Sequence, residues 1–234
     1  MTNTLAAAGS SSTPTPTPAA ATTNGMTHEY YSVLPESKVP IITTVADFRE
    51  WRDKAFREGK TVGFVPTMGA LHDGHITLAQ ESLRENDLTV VSIYVNPAQV
   101  APHENIASYP RTLEKDALLL STCSYLPPTP NATLRTPSAI FLPSTKEMYP
   151  SGLSHSTQLC TYVVPPPALT NQMEGLSRPI FFRGVATVVS KLLNITLPTR
   201  VYFRTERYPT SVIDEEYGQG AMFPHPSPDH SDCS

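Results

Sequence analysis

Val62-Gly-Phe-Val-Pro-Thr-Met-Gly-Ala-Leu-His-Asp-Gly-His75 decides how this 234-residue chain is read. Thr61 to Pro66 has the length and apolar character of a buried strand, and Pro66-Thr67-Met68-Gly69 ends it. Gly69 lets the chain leave strand geometry abruptly. His72 and His75 then flank Gly74 where a helix starts, running from about 74 to 85 with Ile76, Ala79 and Leu83 on one face. Leu88-Thr-Val-Val-Ser-Ile-Tyr-Val95 follows as a second buried strand. Strand, helix and strand within about 35 residues make one βαβ unit, which implies a parallel sheet and a right-handed crossover. The expected fold class is therefore α/β, a parallel sheet flanked by helices.

Outward from this unit, strand and helix signals keep alternating. Thr44-Val-Ala-Asp47 looks like an N-cap with an acidic first turn. Val45, Phe48, Trp51 and Ala55 recur at helical spacing, giving a helix from about 44 to 58. Downstream come a helix over Thr112 to Leu120, an irregular loop over 121–138 and a strand over Ala139-Ile-Phe-Leu142. Ser144-Thr-Lys-Glu147 has the form of a capping box opening a short helix. Cys160-Thr-Tyr-Val-Val164 reads as a strand stopped by Pro165-Pro-Pro167, and Arg200 to Phe203 as a last one. Between them Val185, Val188, Val189, Leu192 and Leu193 form one stripe of a helix over about 180–194. Residues 1–27 are mostly Ala, Ser, Thr, Pro and Gly and cannot bury enough apolar area to offset their ordering entropy. A disordered tail is expected there and again over 214–234, leaving 28–213 as one domain.

Net charge is −4, and no basic stripe argues for nucleic acid or an anionic membrane as partner. The three cysteines, Cys123, Cys160 and Cys233, show no C-x-x-C spacing, which fits neither a disulfide framework nor a zinc site. No apolar run approaches the ~18 residues of a membrane span. The N-terminus lacks the pattern of a secretory signal, and no arginine precedes Arg49 as a mitochondrial transit peptide would require. Cytoplasm is the expected location. Asn131-Ala-Thr and Asn194-Ile-Thr match a glycosylation sequon and are read as chance.

The chemistry concentrates at the βαβ turn. Imidazoles can bridge phosphate oxygens and stabilise negative charge that grows in a transition state. Residues three apart at a helix start share a face, so His72 and His75 can meet one ligand. Gly74 leaves room for that ligand, and free N–H groups of the turn are expected beside it. No G-x-x-x-x-G-K-[ST] occurs, so a nucleotide would be held here. Two surface histidines on a polar turn are the ordinary alternative. The flanking buried strands and Pro-Thr-Met-Gly favour a site. Asn96 and Gln99 follow the second strand, where open parallel sheets bind ligands, and their amides suit hydroxyls and a carboxylate. Asn96-Pro97 also suits a plain turn. Tyr109-Pro-Arg111, Glu174, Arg178 and Arg183 complete the candidates. An arginine near a helix N-terminus is a poor dipole partner, hinting at an anionic ligand, against the alternative of surface charge.

In combination these segments resemble the pantoate–β-alanine ligase family. The resemblance is carried by Phe64 to His75, Ser92-Ile-Tyr-Val-Asn-Pro-Ala-Gln99 and Tyr109-Pro-Arg111. Phe141-Leu-Pro-Ser-Thr-Lys-Glu-Met-Tyr-Pro150, Gln172-Met-Glu-Gly175 and Arg178-Pro-Ile-Phe-Phe-Arg-Gly-Val-Ala-Thr-Val-Val189 follow in family order. Phe182-Arg-Gly-Val, with an aromatic at 181, is similar to the fungal type. The resemblance implies a Rossmann-like nucleotidyl-transferase domain of the H-x-G-H superfamily. It implies that pantoate attacks the α-phosphate of MgATP to give pantoyl adenylate, which β-alanine converts to pantothenate and AMP. It further implies that His72 and His75 contact the ATP phosphates, and that Pro66, Thr67, Met68 and Gly74 line the ATP site. Met68, Asn96 and Gln99 would hold pantoate. Tyr109, Glu174, Arg178 and Arg183 would surround the cleft. A homodimer is left open.

The family continues after Tyr202-Phe203 with Gly-Gln-Lys-Asp, paired glutamines, a Ser-Ser-Arg loop and a small C-terminal domain. This chain has Arg204-Thr-Glu-Arg-Tyr-Pro-Thr210 instead, with Arg207 as a substitute charge, and only Val212-Ile213 returns to the pattern. The expectation is an incomplete nucleotide domain without the small C-terminal domain. The alternative to turnover is a remnant that binds pantoate or nucleotide, or partners a full-length copy. Val95-Asn-Pro-Ala-Gln99 and Tyr109-Pro-Arg111 argue against another H-x-G-H nucleotidyl transferase.

Overall fold

The computed structural model describes residues 31, 33–99, 109–152, 161–166 and 181–203. Strands β1 (Ile41–Ile42), β2 (Val62–Thr67), β3 (Leu88–Ile93), β4 (Ala139–Phe141) and β5 (Arg200–Val201) form one sheet in the order β1-β4-β3-β2-β5. Every pairing is parallel. Helices α1 (Val45–Arg57), α2 (Asp73–Glu85), α3 (Leu113–Ser121), α4 (Thr145–Met148) and α5 (Phe181–Thr196) connect and cover it. The expected Rossmann-like α/β architecture is what forms.

The α1 helix starts where Thr44 Oγ1 accepts from Asp47 N–H at 3.1 Å, and it ends before Gly59, whose φ of 63° takes the chain out of the helix. Its Phe48 is fully buried, 4.6 Å from the Phe141 ring. That face of the sheet also holds Val62, Phe64 and Val90 against Val188, Leu192 and Ile195 of α5. The opposite face packs Val65, Val91 and Ile140 against Ala79 of α2 and Leu113, Ala117 and Leu120 of α3. Fully burying side chains of this size contributes about 1.5–3 kcal/mol each. The docking of α2 is closer than its apolar residues alone would give. A Cβ on Gly63 would stand 2.1 Å from Ser82 Oγ, so only glycine admits Ser82 and Asn86 against β2. Ser82 in turn shares a 2.8 Å hydrogen bond with Thr89 of β3.

Two expectations change and one strand goes unread. The strand read over 160–164 does not form across its described part: residues 161–166 lie in no strand, and Val163 N–H donates to Thr187 Oγ1 of α5 at 3.0 Å. Strand β1 goes unread because two residues carry no period. Ser144 Oγ does accept from Glu147 N–H, but the Glu147 carboxylate accepts from Val45 N–H at 2.7 Å, so it caps α1 across the fold and not its own helix.

This topology fixes where a ligand can sit. From β2 the sheet grows toward β3 and β4 on one side, whereas β5 joins β2 on the other. The chain thus switches direction at the β2–β5 boundary, and open α/β sheets bind ligands beyond the carboxyl ends of strands at such a point. Phe64 C=O still accepts from Tyr202 N–H at 2.9 Å, but β5 pairs no further than Phe64. Pro66, two residues on and facing the same side, therefore interrupts no ladder bond with its missing N–H.

Candidate active site

The β2 strand delivers the first half of the site. Thr67, almost fully buried, donates its hydroxyl to Ser92 C=O at 2.7 Å and accepts from Gly69 N–H at 3.2 Å. Gly69 and Ala70 then take φ values of 86° and 50°, both in the left-handed region. This turn carries the chain from β2 into α2. His72 is the N-cap of α2, and its Nδ1 accepts from Gly74 N–H at 3.1 Å. A neutral imidazole accepting at Nδ1 carries its proton on Nε2, which is left to donate outward. The His72 and His75 rings lie 4.2 Å apart between centroids, so the spacing does bring the pair together at the helix start.

The free N–H groups expected at this turn are largely engaged. Gly69 N–H goes to Thr67 and Gly74 N–H to His72 Nδ1. The Ala70 and Leu71 N–H groups go to Asp116 at 3.0 and 2.9 Å. His75 and Ile76 N–H both go to His72 C=O.

The end of β3 supplies the second half. Asn96 is 1% exposed. Its Nδ2 donates to Gln99 Oε1 and to Gly184 C=O, each at 3.1 Å. Its Oδ1 accepts from Tyr149 O–H at 2.9 Å and from Ala98 N–H at 3.2 Å. Every polar atom of this amide thus has a protein partner. Gln99 is held less firmly: its Nε2 donates to Met68 Sδ at 3.0 Å, and a thioether is a weak acceptor. That contact joins the end of β3 to the end of β2. Gly184 permits the approach of α5, since a Cβ there would lie 2.4 Å from Ala98 C=O.

Tyr109 is half-buried; burial first, then the negative charge of Asp116, push its hydroxyl above the ordinary value. Arg183, the third residue of α5, stacks its guanidinium over Tyr162 with 4.8 Å to the ring centroid. Glu174 and Arg178 lie outside the described residues. Tyr149, Gly184 and Asp116 are the site residues missed in the sequence. Asp116 looks there like an ordinary acidic residue near the start of a helix. Among the described residues no group of three His, Cys, Asp or Glu side chains could hold a metal ion.

Comparison with known proteins supports this architecture. The family model for pantoate-beta-alanine ligase matches residues 40–213. The chain belongs to the pantoate–β-alanine ligase family. Within that family it is 38% identical over 184 residues to pantothenate synthetase of Moorella thermoacetica, covering 79% of this chain and 58% of the relative. It is 42% identical over 163 residues to pantothenate synthetase of Staphylococcus epidermidis, covering 70% and 50%. The crystal structure of the Francisella tularensis pantoate-beta-alanine ligase complexed with beta-gamma ATP and beta-alanine superposes with a TM-score of 0.65 at 32% identity, over 77% of this chain and 62% of that one. The Thermus thermophilus pantothenate synthetase gives 0.62 at 35% identity, over 77% and 58%. This chain therefore spans little more than half the length of its ligase relatives. The part shared includes both halves of the site.

Proposed function

We propose that this chain joins pantoate to β-alanine at the expense of ATP, forming pantothenate through pantoyl adenylate. The observation that carries the proposal is the convergence of the His72–His75 pair and the Met68–Gln99–Asn96 chain at the carboxyl ends of β2 and β3. In the first half-reaction a pantoate carboxylate oxygen bonds to the α-phosphorus of ATP. The bond from that phosphorus to the bridging oxygen breaks, and pyrophosphate leaves. Nε2–H of His72, with His75 beside it, meets the charge that grows on the phosphoryl oxygens. Gln99 gives up its weak thioether acceptor for pantoate, while Asn96 keeps its protein bonds and orients Gln99. In the second half-reaction the β-alanine nitrogen attacks the acyl carbon, the bond to the AMP oxygen breaks, and the amine proton passes to solvent. Positioning and electrostatics carry such a transfer.

Pro66, Thr67, Met68 and Gly74 line the nucleotide side, and Tyr109, Glu174, Arg178 and Arg183 surround the cleft. Mg²⁺ comes in with the nucleotide, because magnesium binds largely through substrate phosphates and retained waters. Asp116, the buried carboxylate at the turn, is engaged with N–H groups and is not a ligand for it. Residues 28–213 as the nucleotide- and pantoate-binding unit, a homodimer and a cytoplasmic location belong to the same proposal. Limited proteolysis, sedimentation equilibrium and cell fractionation test these in turn.

The test of the activity is pantoate-dependent exchange of labelled pyrophosphate into ATP, which isolates the first half-reaction. Exchange by the purified chain, reduced by about 10²–10³ in His75→Ala with pantoate affinity nearly intact, is the expected result. A folded chain that binds pantoate or ATP without exchange is instead a binding remnant. Equal exchange in wild type and His75→Ala would remove the histidine pair from the chemistry.

A further inference from the structure

We infer that Asp116 is the positioning residue of the His-Asp-Gly-His turn, holding it from behind as an internal anion. Two successive left-handed residues are an unusual backbone, and for a residue with a Cβ such as Ala70 that region is strained. Something must hold the chain there. Successive N–H groups in a turn can make a concavity that binds anions. In this protein the anion is the Asp116 carboxylate, one oxygen on Ala70 N–H and the other on Leu71 N–H.

Asp116 is 1% exposed, and a buried carboxylate is tolerated only when hydrogen-bonded. Thr112 supplies the remaining donor. Its hydroxyl lies 3.2 and 3.1 Å from the two carboxylate oxygens and makes no side-chain cap for α3. A Cβ on Gly69 would lie 3.3 Å from Asp116 Oδ2, so the carboxylate also sits close beneath the turn. Leu71 adjoins His72, the N-cap of α2. The register of both imidazoles is thus fixed by a side chain from α3 that never reaches the ligand. The same arrangement explains which groups face a phosphate. With the Ala70 and Leu71 N–H groups turned inward, and those of Gly74, His75 and Ile76 spent on His72, the histidine side chains are the groups of this turn left for a phosphate. Only the identity of that phosphate rests on the proposed function.

Asp116→Asn tests the assignment. The amide can accept from one of the two N–H groups and opposes the other with its own N–H. In the full chain, amide exchange at Ala70 and Leu71 should accelerate on the order of tenfold or more, while Val90 and Val91 of β3 stay protected. The imidazole resonances of His72 and His75 should shift without ligand present. Affinity for ATP should fall by about tenfold, with pantoate affinity changed far less. Wild-type exchange rates and unshifted imidazoles in the folded variant would overturn the inference, as would unchanged ATP affinity in a variant whose turn is released. Should the variant not fold, Thr112→Val loosens the carboxylate alone and must accelerate the same two amides; unchanged rates there would overturn it equally. A wild-type chain that binds no ATP would sink the proposed function, while the amides and imidazoles still decide the role of Asp116.

Discussion

His72 carries two roles that one substitution can separate. Its Nδ1 caps α2, and its Nε2 faces outward as the proposed donor to phosphate. Asparagine is a strong N-cap whose side-chain oxygen can accept from the same N–H, but it lacks the outward Nε2–H. His72→Asn should therefore keep the stability of the folded chain within about 0.5 kcal/mol, whereas His72→Ala should lose about 1 kcal/mol. Both should lower pyrophosphate exchange by about 10²–10³. Thermal melts beside exchange assays measure the two effects, and full exchange in His72→Asn would mean the imidazole serves the helix alone. The histidine pair was legible because three residues across a helix start share a face whatever the rest of the fold does. The spent N–H groups of the turn were not. Asp116, the acceptor for the Ala70 and Leu71 N–H groups, stands 45 residues beyond Leu71, and nothing local announces the contact.

Among elements, the decisive contact is α5 against Pro97–Gln99, a short 3-10 helix that follows β3. Gly184 sits at that contact, and the atoms nearest its missing Cβ are backbone, Ala98 O at 2.4 Å and Gln99 Cα at 2.8 Å. Backbone cannot swing aside as a side chain tip can, so Gly184→Ala must part the two elements. Overpacking of this kind costs about 1–3 kcal/mol, and it withdraws Gly184 C=O from Asn96. The expected result is a melting temperature lower by several degrees together with a raised KM for pantoate and a smaller change in KM for ATP. An unchanged pantoate KM would show that α5 does not set the position of Gln99. The long elements were legible because each carries its own signal. Thr44 caps α1, and the Val188, Leu192 stripe marks α5. The stripe still understates the buried face, which extends to Ala186, Thr187 and Ile195 because the sheet and the 161–166 segment cover two sides of the helix. Short elements fail for the opposite reason: β1 exists only because Pro40 and Ile42 carbonyls accept from Ile140 and Leu142 of its neighbour.

At the scale of the whole molecule, the amino-terminal edge of the sheet is tied by one carboxylate far from the site. Asp87 Oδ2 accepts from Thr61 N–H at 2.9 Å and from Thr61 Oγ1 at 2.7 Å, and Asp87 N–H returns a bond to Thr61 Oγ1. This links the start of β2 to the start of β3. Arg135 approaches the same carboxylate at 3.7 Å while donating to the Asn86, Leu83 and Arg84 carbonyls that end α2. The irregular 121–138 loop is thereby fastened to the βαβ unit. The Thr61 backbone bond first, then the Thr61 hydroxyl, hold the Asp87 carboxyl below its ordinary value of 3.8, with Lys60 and Arg135 adding to the effect against some desolvation. The sign of the pH dependence follows. With the folded pKa below the unfolded one, the unfolded chain binds more protons in acid. The stabilisation is complete above the unfolded value and is lost as pH falls through the folded one. Because Asp87 is partly exposed and its charge is screened by solvent, the increment is small. Urea unfolding from neutral pH down through the carboxylate range should show stability declining in that acid window for the wild type. Asp87→Asn should be less stable at neutral pH and decline with a shallower slope there. Parallel acid slopes in the two proteins would mean that the bonds to Thr61 and Arg135 confer nothing on global stability, and that the sheet edge is held by the β2–β3 ladder alone.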